Sequence, residues 1–201
     1  LQENIKSNVM PTLAKVFGVK TDELILTRNA SEALFLQTSG LNLTEGDEVI
    51  ISSQEHPAAL KPWMHRKEKD GIKVKPIFIP SPLISENDVV KRLSNAITSK
   101  TKAISFCHVT RGGHKYPVKK ISHMARKKGI ITLVDGAQAV GQFPIDINDL
   151  DCDAYSASLH KWILAPSGTG FLYVRENSKS YFSSPFDPDA SSIQSLFTPP
   201  G

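Results

Sequence analysis

The sequence predicts an α/β fold, a three-layer sandwich in which a mostly parallel seven-stranded sheet is covered by helices on both faces. Two observations predict it. Segments whose apolar residues recur at helical spacing alternate along the chain with short apolar runs of strand length. Polar residues gather where the predicted strands end, which is where such sheets bind ligands. With 201 residues, of which 40% are hydrophobic and 22% charged, the chain is expected to form one globular domain.

The predicted elements follow one another as strands separated by helices. The chain opens on a helix over 5–17, because Val9, Leu13 and Val16 recur at helical spacing. The later helices are predicted over 31–41, 58–69, 85–96 and 117–128. The strands are predicted over 23–27, 48–52, 72–79, 103–108, 130–134, 154–156 and 170–174. Because helices separate most of these strands, the strands are expected to run mostly parallel.

Beyond Arg175 the sequence changes character. Residues 178–201 are rich in Ser, Pro and Asp and follow no sustained period, which is typical of an irregular connection. We therefore predict a domain over 1–177 and a linker over 178–201. Because the first residue is Leu1 and not Met, the N-terminal segment is expected to be incomplete.

Charge, cysteine usage and hydropathy argue against several classes of function. The formal net charge is +4, but the basic clusters at 65–69 and 119–128 are interspersed with apolar residues at helical spacing. We interpret them as solvated helix faces and predict no nucleic-acid partner. Cys107 and Cys152 lie in apolar runs without metal-binding spacing, so we expect reduced core thiols and no metal site. No apolar run approaches the ~20 residues of a membrane span, and we predict a cytoplasmic protein.

Four polar segments follow predicted strands, at 27–31, 53–56, 108–114 and 135–138. Because the carboxyl ends of parallel strands meet at one edge of a sheet, these segments are expected to form one ligand site. A nucleotide-dependent oxidoreductase would need a glycine-rich fingerprint after its first strand, and 27–31 contains no glycine. This argues against that class of enzyme.

Asp135 and Lys161 are the pair that indicates a particular cofactor. Asp135 ends a predicted buried strand and Lys161 follows the next short strand, so both are expected at the same edge. A buried Asp needs a cationic partner, although the following Gly136 is also compatible with a simple turn cap. A lysine in a dry pocket forms Schiff bases, and an acid opposite a pyridine nitrogen keeps that nitrogen protonated. The pair predicts pyridoxal 5′-phosphate (PLP).

The segment Ser156-Ala-Ser-Leu-His-Lys161-Trp, with 166–175 after it, resembles the lysine motif of the class V aminotransferase family of fold-type I PLP enzymes. The resemblance covers roughly residues 1–175. It implies the large, PLP-binding domain of such an enzyme, with a smaller C-terminal domain beyond the linker. It also implies that Lys161 forms the Schiff base and that Ser158 and His160 contact the cofactor phosphate.

Two upstream segments extend the resemblance. Residues 27–34 are similar to the family's phosphate-binding segment, which makes Ala30 and Ser31 the expected phosphate contacts. A polar turn that opens a helix also offers backbone N–H groups and a positive dipole end to an anion, although a plain helix cap has the same pattern. Residues 55–63 resemble the segment whose histidine stacks on the cofactor ring, which implies that role for His56.

The remaining contacts come from the segments at 135–138 and 107–117. By resemblance, Ala137 lies against the opposite ring face and Gln138 lies near the phenolic oxygen. The segment 107–117 matches less well, because its spacing to the proline is one residue shorter than in many relatives. Thr110 is the candidate contact there, and the choice among Thr110, Arg111 and His114 stays open.

The resemblance implies an enzyme that forms homodimers and acts on an amino acid, with Lys161, Asp135 and His56 as the catalytic residues. The residues of the lysine motif favour the epimerase-like or aminotransferase-like branch of the family. A cysteine desulfurase or lyase of the same family is the alternative. A non-catalytic α/β interaction domain is the alternative from another class, and absorbance after addition of PLP would distinguish it.

Overall fold

In the computed structural model, which describes residues 2–185, a seven-stranded sheet lies between two layers of helices. The helices are α1 (Gln2–Asn4), α2 (Met10–Phe17), α3 (Ala30–Gly40), α4 (Pro57–Asp70), α5 (Glu86–Ala96), α6 (Val118–Arg126) and α7 (Ile147–Leu150). The strands are β1 (Leu24–Thr27), β2 (Glu48–Ser52), β3 (Lys73–Ile77), β4 (Thr101–Cys107), β5 (Ile131–Asp135), β6 (Ala154–Ser158) and β7 (Gly170–Val174). The predicted α/β sandwich is confirmed.

The strand order across the sheet is β1-β7-β6-β5-β4-β2-β3. The pairs β2–β3, β2–β4, β4–β5 and β5–β6 are parallel, and β7 is antiparallel to both of its neighbours. Because β1 and β6 both oppose β7, every strand except β7 points the same way. The carboxyl ends of six strands therefore lie at one edge of the sheet.

Two apolar cores lie on the two faces of the sheet, because successive side chains of a strand point to opposite faces. In β2, Val49 and Ile51 belong to one core and Ile50 belongs to the other. The core that contains Val49 packs against α3 and α4, with fully buried Trp63 at its centre. The other core packs against α2, α5 and α6. This division accounts for the three layers.

Helix ends follow local signals in the sequence. The side chain of Asn29 accepts a hydrogen bond from the backbone N–H of Glu32 at the start of α3, and Ser85 caps α5 in the same way. Helix α4 begins at Pro57 and ends at Gly71, which adopts the left-handed conformation that favours glycine.

The structure differs from the predicted elements mainly at short segments. A π-helical turn, Ile5–Val9, interrupts the first predicted helix, and α7 was not predicted. The predicted linker over 178–201 begins inside a 3₁₀ helix, Glu176–Tyr181, and fully buried Phe182 bridges Leu41. The chain thus stays packed on the domain beyond residue 177, and the rest of the predicted linker, 186–201, lies outside the described residues. No helix within 2–185 has the length and apolar character needed to cross a membrane.

Candidate active site

A pocket of about 360 Å³ opens at the edge where the parallel strands end. The loops that follow β1, β2, β4, β5 and β6 form its walls. All of the predicted site residues except Thr110 line it, namely Ala30, Ser31, His56, Asp135, Ala137, Gln138, Ser158, His160 and Lys161. The fold thus brings these residues together from four separate segments of the chain, and the loop after β4 adds a fifth.

One end of the pocket is formed by the N-terminus of α3. Ser158, at the end of β6, accepts a hydrogen bond at Oγ from the backbone N–H of Ala30 at 2.8 Å. The N–H of Glu32 is bonded to the Asn29 side chain, and no hydrogen bond described within 2–185 uses the N–H of Ser31. Because the first N–H groups of a helix have no partner inside the helix, this end offers an anion the N–H of Ser31 and a positive dipole, while the N–H of Ala30 is already donated to Ser158.

Gly170 allows this end of the pocket to close. A Cβ atom at Gly170 would lie 2.6 Å from the carbonyl oxygen of Ala157 and 2.9 Å from the backbone of Asn29. Both distances are too short for a side chain. The absence of a side chain at the start of β7 therefore lets the turn before α3 approach β6, which places Ala30 beside Ser158.

Asp135 forms a buried part of the pocket wall. It is the last residue of β5, only 6% exposed, and its Oδ1 accepts a hydrogen bond from the N–H of Ala137 at 2.9 Å. Burial raises the pKa of Asp135, while the Ala137 N–H and the charges of Lys161 and His56 act in the opposite direction. A buried carboxylate with one backbone donor is best stabilised by a cation placed against it.

His56 lies at the mouth of the pocket as the N-cap residue of α4. Its Nδ1 accepts a hydrogen bond from the N–H of Ala58 at 3.1 Å, so the neutral ring carries its proton on Nε2. The cap fixes the ring at the point where β2 passes into α4. His56 is exposed, unlike Asp135 beneath it.

Lys161 lies in the connection between β6 and β7, two neighbouring antiparallel strands. The N–H of Leu159 donates to the carbonyl of Thr169, and the N–H of Ala165 donates to the carbonyl of Leu159. The Nδ1 of His160 also lies 3.2 Å from the carbonyl of Thr169. These bonds close the loop on itself and hold the partly exposed lysine in the wall of the pocket.

Gln138 is oriented by the residue that follows the lysine. Its side-chain oxygen accepts a hydrogen bond from Nε1 of Trp162 at 3.0 Å. The amide NH₂ group is thereby left as the donor that Gln138 can offer to a ligand. This agrees with the donor role that the resemblance implies for Gln138.

The loop after β4 places Arg111 in the pocket wall, and Thr110 and His114 outside it. Thr110 is buried, and its backbone N–H and hydroxyl both bond to His114, which closes the loop as a short turn. Arg111 is exposed and precedes two glycines. Among these three residues, therefore, the side chain available to a ligand is that of Arg111.

Several lining residues were not singled out from the sequence. The pocket is also lined by Gln54, Cys107 and Val109, which lie at or just after the ends of β2 and β4. Their position at strand ends was the available signal. Cys107 and Cys152 are free and buried, as predicted. Within the described residues, no group of three or more metal-binding side chains is present.

The chain matches the aminotransferase class-V family model over residues 3–195. It is 34% identical over 169 residues to isopenicillin N epimerase from Amycolatopsis lactamdurans, an alignment that covers 82% of this chain and 42% of the relative. It is 31% identical over 164 residues to a probable cysteine desulfurase from Methanothermobacter thermautotrophicus, covering 80% and 40%. The chain thus spans about two fifths of the length of these relatives.

The chain also has the same fold as the matching part of a solved structure. That structure is a lysine-to-alanine mutant of C-DES, with glycine covalently linked to its PLP cofactor. The TM-score is 0.82 at 25% identity, with 87% of this chain and 46% of that chain covered. The resemblance inferred from the motifs is therefore confirmed: the chain belongs to the aminotransferase class-V family of PLP-dependent enzymes.

Proposed function

We propose that this chain is the PLP-binding part of an enzyme that acts on an amino acid. The observation that carries the proposal is the pocket itself, in which Lys161, Asp135 and the N-terminus of α3 line one cavity. When bound, PLP supplies an aldehyde that condenses with amines and a ring that withdraws electrons from the substrate carbon. The walls of the pocket match the charges of that molecule.

Each part of the pocket has one task in this proposal. The N-terminus of α3, with Ser158 and His160, binds the phosphate dianion through N–H and side-chain donors. Asp135 holds a proton on the pyridine nitrogen, which relieves the cost of its own burial. Lys161 supplies the amine that holds the cofactor and, when that amine is free, the base that removes a proton from the substrate.

Four further groups orient the ring and the substrate. His56 and Ala137 bound the two ring faces, and the NH₂ group of Gln138 donates toward the phenolic oxygen. Arg111 offers a cation that pairs with the carboxylate of the amino acid substrate. The sequence predicted that Thr110 contacts the cofactor. Instead, buried Thr110 holds this loop in place through its hydrogen bonds to His114.

For the reaction type, we propose the epimerase-like or aminotransferase-like branch. The support for this branch is the lysine segment Leu159-His160-Lys161-Trp162, whose residues resemble it. A cysteine desulfurase or lyase of the same family is the alternative. Burial raises the pKa of both Cys107 and Cys152 well above the usual range, so neither of these two thiols is itself suited as a nucleophile. We also propose that the whole protein is a cytoplasmic homodimer with no nucleic-acid partner.

The test of the proposal is an absorbance titration of the full-length protein with PLP. We expect a new band near the visible edge in the wild-type protein and no such band in Lys161→Ala. Lys119→Ala is the matched control, because Lys119 is exposed and pairs with Asp149 on the surface. A band of equal height in Lys161→Ala, or none in the wild-type protein, would overturn the proposal and favour a non-catalytic domain.

A further inference from the structure

A second carboxyl group lies beside the pocket at Glu55, a half-buried residue whose Oε2 atom is fully buried. Its Oε1 accepts a hydrogen bond from Oγ of Ser52 at 2.5 Å and another from the backbone N–H of Cys107 at 2.9 Å. These two bonds join the ends of β2 and β4. Glu55 also lies between Gln54 and His56, which both line the pocket. The carboxyl group therefore anchors the turn that carries His56.

The other carboxyl oxygen of Glu55 is left without a partner. Oε2 is buried, and within the described residues it has no hydrogen bond. A buried anionic oxygen without a donor is far more costly than a neutral carboxyl group. Because both donors occupy Oε1, that oxygen is the acceptor and Oε2 is the place for a proton.

Within residues 2–185, no hydrogen bond or ion pair joins Glu55 to a cationic side chain. Ser52 and both the backbone and the thiol of Cys107 contact it, and Tyr116 is linked to it through a hydrogen bond to Ser52 at 3.4 Å. Asp135 is the nearby charged residue, since Cys107 pairs with Asp135 in the β4–β5 register. Lys161 and His56 act on Asp135, which leaves Glu55 beside a like charge.

Burial, opposed by the Ser52 hydrogen bond and aided by the charge of Asp135, raises the pKa of Glu55 to about 7. This agrees with the geometry of the two oxygens. The carboxyl groups of Glu55 and Asp135 would repel each other if both were ionised. A single pyridinium charge, moreover, needs only one carboxylate as its partner.

We propose that Glu55 is a positioning residue of the cofactor site, held as a neutral acid beside the Asp135 carboxylate, where it fixes the β2–α4 turn and the place of His56. The part that concerns the cofactor rests on the proposed function. The protonation of Glu55 does not, because it is a property of the protein without PLP.

The first experiment measures that proton in the full-length, cofactor-free protein by infrared spectroscopy. At about pH 5.5, above the usual range of Glu, the wild-type protein should show a carbonyl band of a protonated carboxyl group that Glu55→Gln lacks. The band should disappear by about pH 9. Glu48→Gln is the matched control, since Glu48 begins β2, the strand that leads to Glu55, at the end away from the pocket, and this variant should keep the band. Identical spectra for the wild-type protein and Glu55→Gln would overturn the proposal.

The second experiment measures the Kd for PLP, to distinguish the effect of the hydrogen bonds of Glu55 from that of its charge. Glu55→Gln keeps the acceptor oxygen and is neutral, so its Kd for PLP should stay within about twofold of the wild-type value. Glu55→Asp is too short to reach both donors, and loss of those bonds should raise the Kd roughly tenfold and change the circular dichroism of the bound cofactor. Glu48→Gln should bind as the wild-type protein does.

Equal losses in Glu55→Gln and Glu55→Asp would show that the negative charge is needed, and would overturn the proposal. The two proposals also fail in different ways. A wild-type protein that binds no PLP contradicts the proposed function, whereas the infrared band of Glu55 is read without the cofactor.

Discussion

Replacing Glu55 by Gln should change how the stability of the protein depends on pH. The pKa of Glu55 is raised from 4.5 to about 7, so the folded protein binds this proton more tightly than the unfolded chain does. The stabilisation is fully present below about pH 4.5 and is lost as the pH rises through about 7. At about 1.4 kcal/mol for each tenfold change in proton affinity, the loss is about 3 kcal/mol.

The assay is urea unfolding of the cofactor-free, full-length protein at several pH values. The free energy of unfolding of Glu55→Gln, minus that of the wild-type protein, should rise by about 3 kcal/mol between about pH 4.5 and about pH 8. Glu48→Gln serves as the control, and its difference from the wild-type protein should change much less. A difference that stays constant within about 0.5 kcal/mol for Glu55→Gln would refute the assignment of a buried proton to this residue.

His108 adds a second pH effect on stability. Its contribution grows as the pH rises, whereas that of Glu55 is lost. Burial, aided by the charge of Lys115, lowers the pKa of His108 from 6.5 to about 4. Its contribution to stability is complete above about pH 6.5 and is lost as the pH falls toward 4. In the wild-type protein the contributions of Glu55 and His108 to the free energy of unfolding largely cancel between about pH 4 and about pH 6.5. Glu55→Gln should therefore show stability that rises with pH over this range.

Three further substitutions test the site and its support. Ser158→Ala removes the acceptor for the Ala30 N–H, so the Kd for PLP in an absorbance titration should rise about two- to tenfold; an unchanged Kd would show that this bond does not shape the anion end. Gly136→Ala would place a Cβ atom 2.0 Å from the ring of Tyr155, and urea unfolding should show a loss of about 1–3 kcal/mol or more; wild-type stability would contradict the packing described. Arg111→Met should weaken amino acid binding to the PLP-loaded protein about tenfold, read as a shift in cofactor absorbance, because it removes one charge-assisted contact; Arg111→Lys should recover part of the loss, and equal affinity for all three proteins would exclude Arg111 from the substrate site.

Much of the fold could be predicted because the apolar residues that pack in the core recur in the sequence at the spacing of a helix or in the short runs of a strand. The bounds of β2 and β7 agree with the predicted strands, since both are compact apolar runs between turn residues. Helix α7 was missed because four residues are too few to show a helical period. The antiparallel orientation of β7 was not specified either. Its direction follows from a short connection that carries no helix, which is a tertiary property of the loop.

The candidate site was predictable to the extent that each residue follows a strand. His56, Asp135 and Lys161 could be assigned to one edge from the order of the elements alone. Glu55 could not be assigned a role, because its importance comes from two hydrogen bonds to other strands. For the same reason the sequence did not decide between Thr110 and Arg111. Which of two adjacent side chains faces a cavity depends on the turn that His114 closes.

The position of β1 has a consequence for how the protein is made. Within the described chain, β1 pairs only with β7, although the two strands lie near opposite ends of that chain in sequence. As a nascent chain emerges from the ribosome, the first strand must wait for nearly the whole domain before it finds its neighbour. The anion-binding end of the pocket depends on that pairing, so it is expected to be the last part of the site to form. A chain without β7 would lack the pairing that brings the start of α3 beside β6, and with it the means of holding a phosphate.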